Sequence, residues 1–258
     1  MYRAFNLTKH DWSAASLTSG ETLRERHAST VRESLESFLK NGIIDGGALS
    51  THWFPEIKAD VFISHSHRNN DDALKCAGWL KDTFNLESFI DSSVWGYASD
   101  LLLSIDNEYS RRPDGSTYEY DKQHLAGSHV HMMLAVALNQ MLDACECVIF
   151  LNSPESITSS ESISETKSPW LFYELSLMRT IRRTKPGRLQ VHDLVEKFLG
   201  GPETTKAASL EVKYPVPLSE LTKLDEQHLG AWKRRYELFS NPKHPLDILY
   251  DLAPERTQ

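Results

Sequence analysis

The sequence predicts an α/β protein built on a parallel sheet. Three short apolar runs, at 59–64, 87–91 and 147–151, have the length and composition of buried strands. A segment with helical spacing, ending near Phe84, separates the first two runs. A strand, a helix and a second strand at this spacing form a βαβ unit, whose two strands lie parallel.

The first 58 residues predict an N-terminal extension that is mainly helical. Residues 1–20 show no regular pattern, and residues 21–40 carry apolar side chains at helical spacing. Asn41 and Gly42 are suited to end that helix. We therefore expect the extension to pack on the main domain or on a second copy of the chain.

The middle of the chain predicts a strand, a loop and a helix in succession. The first strand runs into a polar loop at Ser64, and the helix that follows ends near Phe84. After the strand at 87–91, residues 92–98 are expected to form a loop, and a helix is expected from Ala98. Residues 110–127 are polar and contain turn signals, which indicates an insertion. Helical spacing resumes over 129–144, ahead of the strand at 147–151.

A helix with a prominent acidic residue follows the last of these strands. Ser168 is a suitable N-cap and Pro169 a suitable first helical residue. Trp170 and Glu174 are four residues apart, so they share one face of the helix. The carboxyl ends of strands in an open α/β sheet are where ligands bind. The alternative is a core tryptophan beside an ordinary surface carboxylate. Beyond it, 213–218 predicts an edge strand, 219–239 a helix and 244–252 a terminal helix or turn.

Composition excludes several classes of protein. The chain has 258 residues, a net charge of −8 and three cysteines. The negative charge argues against a nucleic-acid partner, and no apolar run is long enough to span a membrane. The low, odd cysteine count and the absence of a signal-peptide pattern at the start predict a cytoplasmic protein.

Motifs for resident cofactors are missing from the sequence. It contains neither Gly-x-Gly-x-x-Gly nor a Gly-Lys-Ser/Thr phosphate loop, so NAD is not expected as a redox cofactor. His65 and His67 have no further ligand at metal-binding spacing, so we expect solvated loop histidines and no metal. NAD as a consumed substrate stays open.

Three segments in this order resemble the TIR (Toll/interleukin-1 receptor) domain family. They are Asp60-Val-Phe-Ile-Ser-His-Ser-His-Arg; Phe89-Ile-Asp91 with the following Trp95-Gly96; and Val148-Ile-Phe-Leu-Asn-Ser153 with the later Ser168-Pro-Trp-Leu-Phe-Tyr-Glu-Leu. The resemblance covers residues 59–250, apart from the insertion near 110–127. It implies a flavodoxin-like parallel sheet of about five strands with helices on both faces.

The resemblance also implies an activity. Some TIR proteins are adaptors, whereas others cleave the nicotinamide–ribose bond of NAD and release ADP-ribose or a cyclic or conjugated ADP-ribose signal. The enzymatic members carry a Glu on the helix that Glu174 occupies here. The chain is therefore expected to be an NAD nucleosidase that needs no cofactor and self-associates through TIR surfaces. Bacterial relatives of this kind act in anti-phage defence, where the product reaches a separate effector protein.

By the same resemblance, Glu174 holds the ribose and stabilises its developing positive charge. Trp170 forms an apolar wall that stacks on a ring. Ser64, His65 and Ser66 line the nicotinamide end.

Three further residues have more than one interpretation. Asp91 shapes the ribose pocket or caps a helix. Arg68 binds the pyrophosphate or forms a surface ion pair. Trp95 covers the nucleotide, joins a second protomer or is buried in the core.

Two other functions stay open from the sequence. One is a non-catalytic TIR module that assembles through the loop at 92–98. The other is a nucleoside-processing transferase of related fold that also uses a Glu. Release of nicotinamide from NAD distinguishes the enzyme from the module, and tests with free nucleosides distinguish the transferase.

Overall fold

A computed structural model describes residues 1–8, 10–12, 15–28, 35–40, 43–153, 157–160, 163–189, 214–216, 218–238 and 243–254. The strands are β1 (Arg3–Thr8), β2 (Leu39–Lys40), β3 (Ile43–Ile44), β4 (Val61–Ser64), β5 (Ser88–Ile90), β6 (Cys147–Asn152), β7 (Thr158–Ser160), β8 (Ile163–Thr166), β9 (Tyr214–Pro215) and β10 (Thr222–Leu224). The α-helices are α1 (Leu17–Ala28), α2 (Gly46–Trp53), α3 (Asn70–Phe84), α4 (Ser92–Ile105), α5 (Tyr120–Ala144), α6 (Pro169–Thr180), α7 (Glu226–Glu237) and α8 (Pro245–Leu252).

Five parallel strands in the order β10-β1-β6-β4-β5 form the central sheet. β4 lies between β6 and β5, with Val61 paired to Cys147 on one side and to Ser88 on the other. The prediction that the strands near 60–64, 88–91 and 147–151 are parallel neighbours is therefore confirmed. The α/β class with a five-stranded parallel sheet, consistent with a flavodoxin-like fold, is also confirmed.

The first strand is where the structure departs most from expectation. Residues 1–20 were expected to be irregular, yet Arg3–Thr8 forms β1 between β10 and β6. The strand was not predicted because its polar residues interrupt the apolar pattern. Arg3 is nevertheless buried, and it donates a hydrogen bond to the carbonyl oxygen of Ala253 at 2.7 Å. The first residues thus belong to the same sheet as strands from the 59–250 region.

Helices cover both faces of the sheet and bury one apolar layer on each. One layer contains residues of α1, α3, α7 and α8, and the other contains residues of α2, α4, α5 and α6. The α1 and α3 helices approach most closely at Gly20, where a Cβ atom would lie 2.0 Å from the Leu74 carbonyl oxygen. Only glycine allows that approach.

Several element boundaries also differ from the predictions. The helix expected over 21–40 is α1, at Leu17–Ala28, followed by a 3₁₀ turn at Leu35–Phe38; residues 29–34 lie outside the described residues. The loop expected over 92–98 is the first part of α4, because Asp91 caps a helix that begins at once. Within the expected insertion at 110–127, Arg111 pairs with Tyr118 and α5 begins at Tyr120.

The last third of the chain adds a small antiparallel sheet of β7, β8 and β9. Tyr214–Pro215 is an edge strand of that sheet, as predicted. Within the stretch expected to be helical over 219–239, Thr222–Leu224 instead forms the edge strand β10. Among the described helices, none has the length and apolar character needed to cross a membrane.

Candidate functional site

The topology has a switch point between the carboxyl ends of β4 and β6. The helix α3, which follows β4, packs on one face of the sheet, and α6, which follows β6, packs on the other. The two connections diverge at such a switch point, which is where open α/β sheets generally bind ligands. Side chains from the end of β4, from the segments that follow β4 and β5, and from α6 meet there.

Glu174 enters this region from α6. The Ser168 hydroxyl accepts a hydrogen bond from the Leu171 amide at 3.2 Å and so caps the helix, with Pro169 in the first turn. Glu174 is completely buried. The Ser64 hydroxyl, at the end of β4, donates to its Oε2 atom at 2.6 Å. This contact joins residues 110 positions apart and fixes the carboxyl group at the carboxyl end of the sheet.

Asp91 and His65 form a second buried pair beside it. His65 Nδ1 lies 2.5 Å from Asp91 Oδ1, and both side chains are almost entirely enclosed. The same Oδ1 atom accepts a hydrogen bond from the Ser92 amide at 2.6 Å. Asp91 therefore caps α4, which is the helix-cap alternative raised by the sequence, and it lies against the His65 ring. The expectation that His65 is a solvated loop histidine is wrong, because packing against Asp91 encloses its side chain. The role of Asp91 toward a ribose stays a prediction.

Electrostatics set Glu174 apart from an ordinary glutamate. Burial, and then the neighbouring Asp91 carboxylate, raise the pKa of Glu174 well above its usual range. The Ser64 hydroxyl bond favours the ionised form and offsets only part of this effect. Strongly shifted carboxyl groups at the ligand-binding edge of a sheet are candidates for functional residues. Glu174 is therefore not the solvated surface carboxylate that the sequence left open as an alternative.

Asn69 is a site residue that sequence reasoning missed. Its Oδ1 atom accepts hydrogen bonds from the Ser66 and Ser153 hydroxyls, each at 2.6 Å. Both distances are typical of O–H···O bonds and short for N–H···O bonds, so the amide oxygen faces the hydroxyls. The side-chain nitrogen of Asn69, which carries two N–H donors, then faces away from these hydroxyls. The position of Asn69 after β4 and before α3 was the only signal in the sequence.

The remaining predicted residues have different surroundings. Arg68 is exposed. Trp170 is half-buried, and its ring meets those of His131 and Tyr173 edge-on at centroid distances of 5.8 and 6.4 Å. It therefore lies against α5, and stacking on a ligand ring stays a prediction. Trp95 lies within α4, but its side chain is outside the described part of the structure.

A separate acidic group does not qualify as a metal centre. Glu146, His244 and Asp247 bring their ligand atoms within 4.8 Å of one another. The Arg188 guanidinium already lies 2.5 Å from Glu146 and 2.8 Å from Asp247. Its positive charge takes the position that a metal ion would occupy.

The cysteines are also unsuited to catalysis. Cys76, Cys145 and Cys147 are buried and free. Burial raises the pKa of Cys145 to about 12, so its thiol stays protonated at neutral pH. A protonated, enclosed thiol is a poor nucleophile.

Comparison of the chain with protein-family profiles, with curated proteins and with solved structures gave no match. The resemblance to TIR domains thus rests on the residues quoted from the sequence. The geometry described above stands independently of it.

Proposed function

We propose that the protein cleaves the nicotinamide–ribose bond of NAD and releases nicotinamide with ADP-ribose or a cyclic or conjugated ADP-ribose. The observation that carries the proposal is the buried carboxyl group of Glu174, held by Ser64 at the switch point of a parallel sheet. The order of TIR-like segments supports the same reaction. A role in bacterial anti-phage defence is part of this proposal through that resemblance alone.

Cleavage of this bond requires only one carboxylate. Nicotinamide leaves from a cationic pyridinium and becomes neutral, so it requires no general acid. The ribose acquires oxocarbenium character, and a preorganised negative charge nearby stabilises it. Ordinary glycosidases differ because their leaving oxygen must be protonated by a second carboxyl group. Glu174 Oε1 is enclosed and has no hydrogen-bond donor among the described residues, so it is the carboxyl oxygen that we propose faces the ribose once the site opens.

The positive charge of the pyridinium ring in NAD complements the carboxyl group of Glu174. Burial and the Asp91 carboxylate raise the pKa of Glu174, so the enclosed site disfavours its ionised form. A pyridinium ring entering the site favours the ionised form, because opposite charges attract strongly at low local dielectric. The site should therefore select oxidised NAD over its uncharged-ring reduced form.

Nearby polar groups provide contacts for the rest of the substrate. The amide nitrogen of Asn69 offers donors at the amino end of α3, where a helix favours anions. Arg68 is exposed beside it and matches phosphate oxygens in geometry. These residues are proposed to hold the pyrophosphate, while Ser64, His65 and Ser66 surround the nicotinamide end.

The test is nicotinamide release from NAD by the purified chain and by Glu174→Gln. Loss of one preorganised electrostatic group lowers kcat by about a hundredfold or more, whereas NAD binding should change much less. Glu237→Gln, on the exposed surface of α7, is the matched control and should retain full activity. A folded Glu174→Gln variant with normal turnover would remove the catalytic assignment. A wild-type chain that releases no nicotinamide would favour a TIR assembly module.

A further inference from the structure

Both ring nitrogens of His65 are buried, and neither makes a hydrogen bond within the described part of the chain. Nδ1 lies against Asp91 Oδ1 at 2.5 Å, and the ring is fully enclosed. Nε2, on the other side of the ring, is buried and has no hydrogen-bond partner in the described part of the chain. Leaving a buried nitrogen unpaired is unfavourable, so such an atom requires an explanation.

The contact with Asp91 places a carboxylate oxygen beside Nδ1. An ionised carboxylate accepts hydrogen bonds and cannot donate them, so it favours the tautomer with the proton on Nδ1. Nε2 then has a free lone pair and can accept a proton. The Asp91 carboxylate is itself fixed by the Ser92 amide, which prevents the ring and the carboxylate from turning away together.

His65 follows a residue that binds Glu174, and it contacts Asp91, whose charge acts on Glu174. His65 directly follows Ser64, whose hydroxyl bonds to Glu174 at 2.6 Å. Asp91 also acts on Glu174 directly, since its charge is one of the causes of the raised pKa of Glu174. The two pairs, Ser64 with Glu174 and His65 with Asp91, are therefore adjacent parts of one buried cluster.

We propose that His65 Nε2 is the general base for the oxygen nucleophile that replaces nicotinamide, with Asp91 as its positioning residue. The proposal rests on the proposed function. The bond between C1′ and the pyridinium nitrogen breaks, and its electron pair stays on nicotinamide, which leaves neutral. The oxygen of water, or of a hydroxyl group, forms the new bond to C1′, and its proton passes to Nε2. Asp91 stabilises the resulting imidazolium until the proton returns to solvent.

Glu174 and His65 have different tasks in this reaction. Glu174 stabilises positive charge on the ribose while the bond breaks, whatever the nucleophile. His65 is needed only when the nucleophile must lose a proton. General bases contribute about 10²–10⁴-fold to the rate. A nucleophile that has no proton to lose, such as azide, does not require one.

The experiment compares nicotinamide release by wild type, His65→Gln and Glu174→Gln, with and without sodium azide. His65→Gln should hydrolyse NAD at least about a hundredfold more slowly. Azide should restore its nicotinamide release and give an azide adduct of ADP-ribose by mass spectrometry. Glu174→Gln should not be rescued, because its defect lies in bond breaking. His129→Gln, an exposed histidine on α5, is the matched control and should behave as wild type.

A second variant covers the case in which His65→Gln does not fold. Asp91→Asn favours the other tautomer, so it should also slow hydrolysis and also respond to azide. Normal hydrolysis by a folded variant, or a slow folded variant that azide does not rescue, would overturn the general base and leave Glu174 in place. A wild-type chain without nicotinamide release would overturn both proposals.

Discussion

Replacement of Glu174 by Gln should change how the stability of the protein depends on pH. The side chain is completely buried, and its pKa is raised by burial and by Asp91. The folded state therefore holds the proton more tightly than the unfolded state does. From about pH 4.3, the usual pKa of Glu, upward to the raised pKa, the wild type loses free energy of unfolding. The Gln variant does not titrate, so it lacks this loss.

The size of the effect follows from two opposing contributions. Exchange of the charge-assisted Ser64 bond for a neutral one costs about 1 kcal/mol. Removal of a carboxylate that must ionise in a buried site gains more, since the effective penalty for a buried ion reaches several kcal/mol. Below about pH 4.3 the variant should equal or fall slightly below wild type, and its relative stability should rise with pH. A difference of 1 kcal/mol corresponds to roughly 2–4 °C in Tm.

Thermal unfolding of both proteins between about pH 4 and about pH 9 measures this difference. Glu237→Gln, at an exposed position, should follow the wild-type curve throughout. A constant Tm difference between wild type and Glu174→Gln across this range would refute the raised pKa. A variant less stable than wild type at alkaline pH would show that the carboxylate is a structural ion.

The remaining predictions concern activity and packing. Nicotinamide release should increase up to tenfold per pH unit below the raised pKa of Glu174 and then level off, because the carboxylate must be ionised; a flat profile would contradict this. Gly20→Ala should lower the free energy of unfolding by more than about 3 kcal/mol, because its Cβ atom would lie 2.0 Å from the Leu74 carbonyl oxygen. Gly127→Ala has open space around it and should raise the free energy of unfolding by up to about 1 kcal/mol. Chemical denaturation measures both changes. A monomeric sample should turn over NAD slowly, because Glu174 and Ser64 are fully enclosed, and rapid turnover by a monomer in sedimentation analysis would refute this latency.

The three strands found from the sequence share a property that β1 lacks. β4, β5 and β6 are dominated by apolar residues, as expected of parallel strands buried on both sides. In β1, Arg3 and Asn6 interrupt that pattern. Arg3 tolerates burial because its partner, the Ala253 carbonyl, lies 250 residues away. A contact between residues so far apart in the sequence cannot be inferred from the local spacing of apolar residues.

The same distinction applies to the candidate site. The sequence could bring Ser64, Asp91 and Glu174 to one region because parallel strands end at the same edge of a sheet. It could not show that Glu174 is fully buried or that Asp91 faces His65, since both depend on how side chains from distant elements pack. Asn69 was missed because its two hydroxyl partners come from separate strand ends.

Cleavage of NAD by the protein can be measured directly. The concentrated protein is incubated with NAD in ¹⁸O-enriched water, and the products are analysed by mass spectrometry. We predict free nicotinamide and ADP-ribose, with the label on the anomeric oxygen of the hydrolysed product and absent from any cyclic form. Both should be lost in Glu174→Gln. NAD that stays intact under every condition of concentration and pH, with the protein folded, would contradict the account.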